Sequence, residues 1–162
     1  MDYLWTPWRY PYISGASREP GCVFCRALAL GDDARALILL RGRKNFIILN
    51  RFPYTSGHSM VVPYEHSSDL GSYDSETLAE MMELTRRAQL ALEWLYHPQG
   101  YNIGMNLGKA AGAGVADHIH LHVLPRWTGD TNFMTTVAET RLEPEELAVT
   151  YDKLRAALTP AR

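Results

Sequence analysis

The chain is short of the features that mark the more specialised classes of protein. Its 16 basic and 18 acidic residues nearly cancel, leaving a formal charge of -2. No general field therefore draws it to nucleic acid or to a membrane surface, and an anionic ligand must be held by local groups. No apolar run approaches the ~18 residues of a membrane span, and the aromatic-rich start, opening with Asp2, lacks the charged-then-apolar order of a secretory leader. Only two cysteines are present, too few for a disulfide scaffold, and a cytoplasmic location is expected. Internal repeats, low-complexity tracts and a linker are also missing. One domain over residues 1–162 is the expectation, and 46% hydrophobic residues are enough to give it a core.

What is present is a concentration of histidine. His118, His120 and His122 stand at every second position of His-Ile-His-Leu-His-Val-Leu, so on a strand three imidazoles share one face while Ile119, Leu121 and Val123 turn to the core. Packing alone is a poor reason for three titratable rings in a row, and the arrangement suits metal, proton or phosphorus chemistry. A neutral imidazole that attacks phosphorus needs one nitrogen aimed at an open pocket and the proton on its other nitrogen held by an acceptor, for which a backbone carbonyl serves. His120, in the middle, is best placed. His122 is near enough to hold a phosphate oxygen or protonate a leaving group, and His58, opening another expected strand, can reach the same face. His97, before Pro98, reads as a capping or solvated residue.

The flanking pattern sets this strand in an α+β frame. Residues 1–21 carry Trp5, Trp8, Tyr10 and Tyr12 without a clean period and read as an extended N-terminal arm. Short runs at 36–40, 45–49 and 59–62 read as strands, the first two as a hairpin through Arg41-Gly42-Arg43. Helical spacing of Leu78, Met81, Met82, Thr85, Ala88, Leu92 and Leu95 predicts a long helix over 75–96, with Asp74 and Glu76 at its start. Strands follow at 101–107 and 118–124, then an amphipathic helix over 145–158. That order argues for a mainly antiparallel sheet.

Cys22 and Cys25 have the two-residue gap that presents two thiolates to a tetrahedral zinc, with His66 and one histidine of the triplet as candidates to complete a closed, structural site. Two buried free thiols or a redox pair are the alternatives, the redox reading being weakened by Pro20-Gly21 where a strand should precede the motif. The loop from Gly108 to Gly114 offers Lys109 and backbone N–H groups, with Gly112 and Gly114 among them, to a phosphate. It lacks the Gly-Lys-Ser/Thr ending of a P-loop, and glycine-rich connections are often only turns.

Together these residues resemble the histidine triad family, whose His-φ-His-φ-His-φ-φ signature, φ being apolar, is met from His118 to Leu124. The resemblance extends over Cys22-Val23-Phe24-Cys25, Leu49-Asn50-Arg51-Phe52-Pro53, Gly57-His58-Ser59-Met60-Val61-Val62-Pro63, His66 and Pro125-Arg126-Trp127. Leu4 to Arg9, Asn106-Leu107-Gly108, Trp127 and Gly129 to Phe133 look like the bacterial group related to diadenosine tetraphosphate phosphorylases. Membership implies a five-stranded antiparallel sheet with one long helix and a C-terminal helix, a homodimer, and a nucleotidyl hydrolase or transferase acting on adenine nucleotides or dinucleoside polyphosphates. By the same resemblance His120 is the nucleophile, His122 and His58 are its partners and Asn50 contacts the sugar; Asn106 is a further substrate-binding candidate, and the place of Trp127 after the triad strand suggests that it packs near the nucleotide. The zinc ligands become Cys22, Cys25, His66 and His118. Many members carry Gln or Ser where this chain has Gly114, so a backbone N–H or Lys109 must take over that contact. Phosphoramidate hydrolysis, nucleotidyl transfer to another acceptor, and nucleotide binding without catalysis are the competing readings.

Overall fold

The computed structural model describes residues 20–130 and 145–159. Most of the expected N-terminal arm, and Asn132 and Phe133, lie outside the described residues. Within them a five-stranded, wholly antiparallel sheet runs in the order β1-β2-β3-β5-β4. Its strands are β1 (Ile38–Arg41), β2 (Asn45–Leu49), β3 (Ser59–Pro63), β4 (Gly100–Gly104) and β5 (Leu121–Arg126). The α-helices are α1 (Val23–Ala29), α2 (Asp33–Ala36), the long α3 (Ser75–Tyr96) and α4 (Leu147–Leu158). Among the described residues no helix is long and apolar enough to cross a membrane.

Alternation along the strands divides the interior in two. Leu39, Ile47, Leu49, Val61, Ile119, Leu121 and Val123 face α3 and α4 and pack on Met81, Leu84, Leu92 and Leu154. Ile38, Phe46, Ile48, Met60 and Val62 face the other way, toward Phe24 and Cys22 around α1. Because β2 and β3 are buried along their whole length, their continuous apolar runs are what a sheet covered on both faces requires. His122, paired with Met60 across β3 and β5, falls on the α1 side.

Several expected boundaries move, each for a local reason. The run at 36–40 begins as a strand only at Ile38, because Asp32 accepts the Arg35 N–H and caps α2, and Leu37 then turns the chain at φ 64. β5 starts at Leu121 rather than His118. In the β3–β5 register Ile119 would stand opposite Pro63, which has no N–H to give to a ladder. Its partner shortened, β4 ends at Gly104, opposite His122, and not at Leu107. On α3, capped by Asp74 at the Thr77 N–H, the buried stripe runs through Thr77, Leu84 and Ala91, while Met82 is exposed. Glu80 on this helix takes the Arg43, Lys44 and Asn45 N–H groups at 2.7, 2.6 and 2.8 Å, fixing the β1–β2 turn in place of a free hairpin. These hydrogen bonds outweigh the burial that would raise its pKa, so the carboxyl stays below its ordinary range.

The turn before β3 depends on Gly57. Its φ is +82, and a Cβ there would stand 2.5 Å from Leu92 Cδ2. Gly57→Ala should therefore lower stability by about 2 kcal/mol or more in denaturant unfolding; a loss of only a few tenths would show that the turn relaxes freely.

Candidate active site and metal centre

Four side chains converge where the segment before β5 passes α1. Cys22 is the N-cap of α1 and Cys25 lies in its first turn; His66 follows β3; His118 is fully buried in the lead-in to β5. Their ligand atoms lie within 4.8 Å of one another. His118 Nε2 stands 3.0 Å from the Pro63 carbonyl, which can only accept, so the imidazole donates there and turns the Nδ1 lone pair inward. That Nδ1 is 3.3 Å from Cys22 Sγ, 3.8 Å from Cys25 Sγ and 3.2 Å from His66 Nδ1, and Cys25 Sγ is 3.5 Å from His66 Nδ1. Tetrahedral zinc with ordinary bond lengths sets its ligands about 3.3 Å apart for two nitrogens and about 3.6 Å for nitrogen and sulfur. The residues fit the ion. Asp117 Oδ2, 3.9 Å from His66 Nε2, is the kind of outer carboxylate that orients a ligating imidazole. Burial, and after it the Cys22 thiol, raises the Cys25 thiol, the opposite of what a reactive redox cysteine needs.

Next to this centre lie the His120 and His122 rings. His120 Nδ1 stands 3.0 Å from the His118 carbonyl, so it donates its proton and leaves Nε2 as the bare nitrogen. Burial lowers the pKa of His120 although that hydrogen bond favours the charged form, and the ring is neutral near pH 7. The His122 ring is 4.8 Å away at 78°.

The tautomer of His122 follows from a chain of contacts. The Tyr54 backbone N–H donates to His58 Nδ1 at 3.2 Å, so the His58 proton is on Nε2, 2.9 Å from His122 Nδ1. His122 accepts there and carries its own proton on Nε2. The Tyr54 ring stacks on His58 at 5.2 Å and 18°. Neither Tyr54 contact was visible in the sequence, since one is a backbone group and the other depends on the turn. Asn50 Nδ2 lies 3.2 Å from His58 Nδ1, while its Oδ1 accepts the Phe52 N–H. The site thus gathers His58, His120, His122 and Asn50 on one side of the sheet.

Asn106, Lys109, Gly112 and Gly114 are exposed, and residues 109–111 form a single 3-10 turn between glycines of positive φ at 108 and 112. Trp127 is five residues beyond His122, roughly 16 Å along an extended strand, and its indole N–H donates to the Tyr96 carbonyl at the end of α3. Within one chain it braces that helix end and is not brought to the histidines.

This fold and site define the class: the HIT domain family model matches residues 33–129, and the chain belongs to the HIT family. Among its relatives, AP-4-A phosphorylase of Mycobacterium tuberculosis is 37% identical over 155 residues, covering 91% of this chain and 79% of that protein. The crystal structure of a zinc-bound histidine triad family protein from Mycobacterium smegmatis is 36% identical, with a TM-score of 0.69 over 85% of this chain and 93% of that one. Adenosine 5'-monophosphoramidase of Schizosaccharomyces pombe is 23% identical across 85% of this chain and 98% of its own.

Two measurements follow. Purified protein should carry about one zinc per chain, and Cys22→Ser should abolish that content and lower the thermal midpoint; a stable, unmodified protein with no metal and two free thiols would refute the fit. Burial, and then the neighbouring His120, lowers the pKa of His122 from 6.5 to about 4. The folded state therefore resists a proton that the unfolded chain accepts, and stability should fall as pH drops from 6.5 toward 4 and level off below. His122→Asn should show a shallower acid slope than the unmodified protein; equal slopes would mean that the ring titrates normally.

Proposed function

We propose that this chain is a cytoplasmic, homodimeric enzyme that cleaves the α-phosphate linkage of a dinucleoside polyphosphate through a nucleotidyl-His120 intermediate. The observation that carries the reading is the protonation pattern: His120 is neutral with its proton held by the His118 carbonyl and its lone pair on Nε2, beside a His122 whose proton is on Nε2. His120 Nε2 attacks the α-phosphorus, the bond to the bridging oxygen breaks, and the nucleoside polyphosphate leaves. His122 holds a phosphate oxygen through its N–H, and the neighbouring negative charge raises its depressed pKa while substrate is bound. Phosphate or water then takes the nucleotidyl group from His120.

The family and the AP-4-A phosphorylase relative support diadenosine tetraphosphate as substrate and phosphate as acceptor. Asn50 would contact the sugar, and the loop with Asn106, Lys109, Gly112 and Gly114, which joins β4 to the histidine segment, would hold the distal phosphates. Cys22, Cys25, His66 and His118 would hold one structural zinc, which would tie the start of α1 to the nucleophile's segment. The single domain would pair with a second copy through β4, one of the two edge strands of the sheet. Phosphoramidate hydrolysis is the second reading, favoured by the monophosphoramidase relative and open to the same nucleophile.

Incubation with diadenosine tetraphosphate separates the outcomes. ADP with ATP, dependent on phosphate, marks phosphorolysis; AMP with ATP marks hydrolysis. Two ADP would place cleavage away from the α-phosphorus and reject the mechanism. His120→Asn should lower turnover at least about a thousandfold, near 4 kcal/mol, with AMP binding retained.

A further inference from the structure

Phe24 lies between the two cysteines and takes no part in the chemistry described above. It is 3% exposed, and its ring meets both His118, edge-on at 5.4 Å and 79°, and His120, at 5.0 Å and 50°. The His120 ring is thus bounded by Phe24 and by His122, with one hydrogen bond, to the His118 carbonyl, setting its rotation. A single hydrogen bond leaves an imidazole able to turn about its side-chain bonds; an aromatic wall restricts that turn.

The wall's own position is set by its neighbours in sequence. Cys22 caps α1 and Cys25 is in the first turn, so the backbone of Phe24 is carried by the two residues whose sulfur atoms face His118 and His66. No side-chain cap hydrogen bond closes this helix start, and α1 has only seven residues, too few to be stable by itself. Whatever fixes the two thiols therefore fixes the ring that bounds the nucleophile.

We infer that Phe24 is a positioning residue for His120, coupling closure of the Cys22–Cys25–His66–His118 centre to the orientation of the attacking nitrogen. This rests on the reading of His120 as the nucleophile. The centre stays structural in composition and yet controls rate, because a misaimed Nε2 by about 1 Å costs up to roughly a hundredfold.

The test uses the full chain with metal bound, at one neutral pH. In wild type, 15N spectra of the histidine rings should show His120 as one tautomer, protonated at Nδ1. Phe24→Leu should keep its zinc and bind AMP within about twofold of wild type, yet show averaged His120 ring signals and a kcat lowered roughly ten- to a hundredfold with little change in KM. Metal-stripped wild type should give the same averaged signals, and stripping Phe24→Leu should add little, as for two changes acting through one path. If Phe24→Leu fails to fold, Phe24→Met, closer in reach, takes its place. Wild-type His120 signals and kcat in a folded, zinc-bound variant would overturn the inference, as would a loss confined to AMP affinity. Absence of turnover in wild type would instead refute the proposed reaction, and the ring spectra would still decide the role of Phe24.

Discussion

The hydrogen bond from His120 Nδ1 to the His118 carbonyl is the constraint around which the rest is arranged. It joins two residues of one segment, and through it one residue serves two neighbourhoods. The His118 side chain donates to Pro63 and turns Nδ1 toward the thiols, while its backbone sets the tautomer of His120. Both depend on residues 118–120 lying outside the strand ladder, where the Ile119 N–H donates to the Ser67 carbonyl at 2.9 Å. Had β5 continued to His118, the strand ladder would have claimed backbone groups there; Pro63 ends that ladder, and its carbonyl goes to His118 instead.

The sheet supplies rigidity from behind and chemistry in front. Ile119, Leu121 and Val123 anchor the segment in the core under α3 and α4, where removing a large side chain typically costs 2–5 kcal/mol. The alternate residues then have little freedom to shift register, since a one-residue slip would bury histidines in place of aliphatics. Burial does the electrostatic part, keeping His120 and His122 neutral. The backbone N–H of Tyr54, through His58, decides where the proton of His122 sits. Two neutral imidazoles therefore stand side by side, one with a bare nitrogen and the other with an N–H.

Much of this was legible in the amino-acid sequence, and the parts that were not share a cause. The α+β class, the long helix over 75–96, the antiparallel sheet and the Cys22, Cys25, His66 and His118 grouping all follow from periodicity, spacing or family resemblance, because each is written in side chains of a recognisable kind. The short helices α1 and α2 were missed: seven and four residues leave no period to read, and they exist through tertiary packing of Phe24 and Ala36. Strand ends were misplaced at His118 and Leu107 because pairing depends on a partner far away in sequence, here Pro63 and the start of β5. The place of Trp127 after the triad suggests packing by a nucleotide; the hydrogen bond of its indole N–H to the end of α3 could not be read from that place. Glu80, an ordinary helix glutamate in the sequence, turned out to cap three backbone N–H groups of a distant turn.

The central claim is that His120 Nε2 becomes covalently bonded to phosphorus, and rapid acid-free quenching during turnover of diadenosine tetraphosphate, followed by mass analysis of the intact chain and its peptides, tests it most directly. The account predicts one AMP unit attached to the peptide carrying His120, lost on mild acid treatment as a phosphorus–nitrogen bond requires, formed and discharged fast enough to support turnover. Turnover without any adduct, or an adduct on another residue that persists when His120 is replaced, would contradict it.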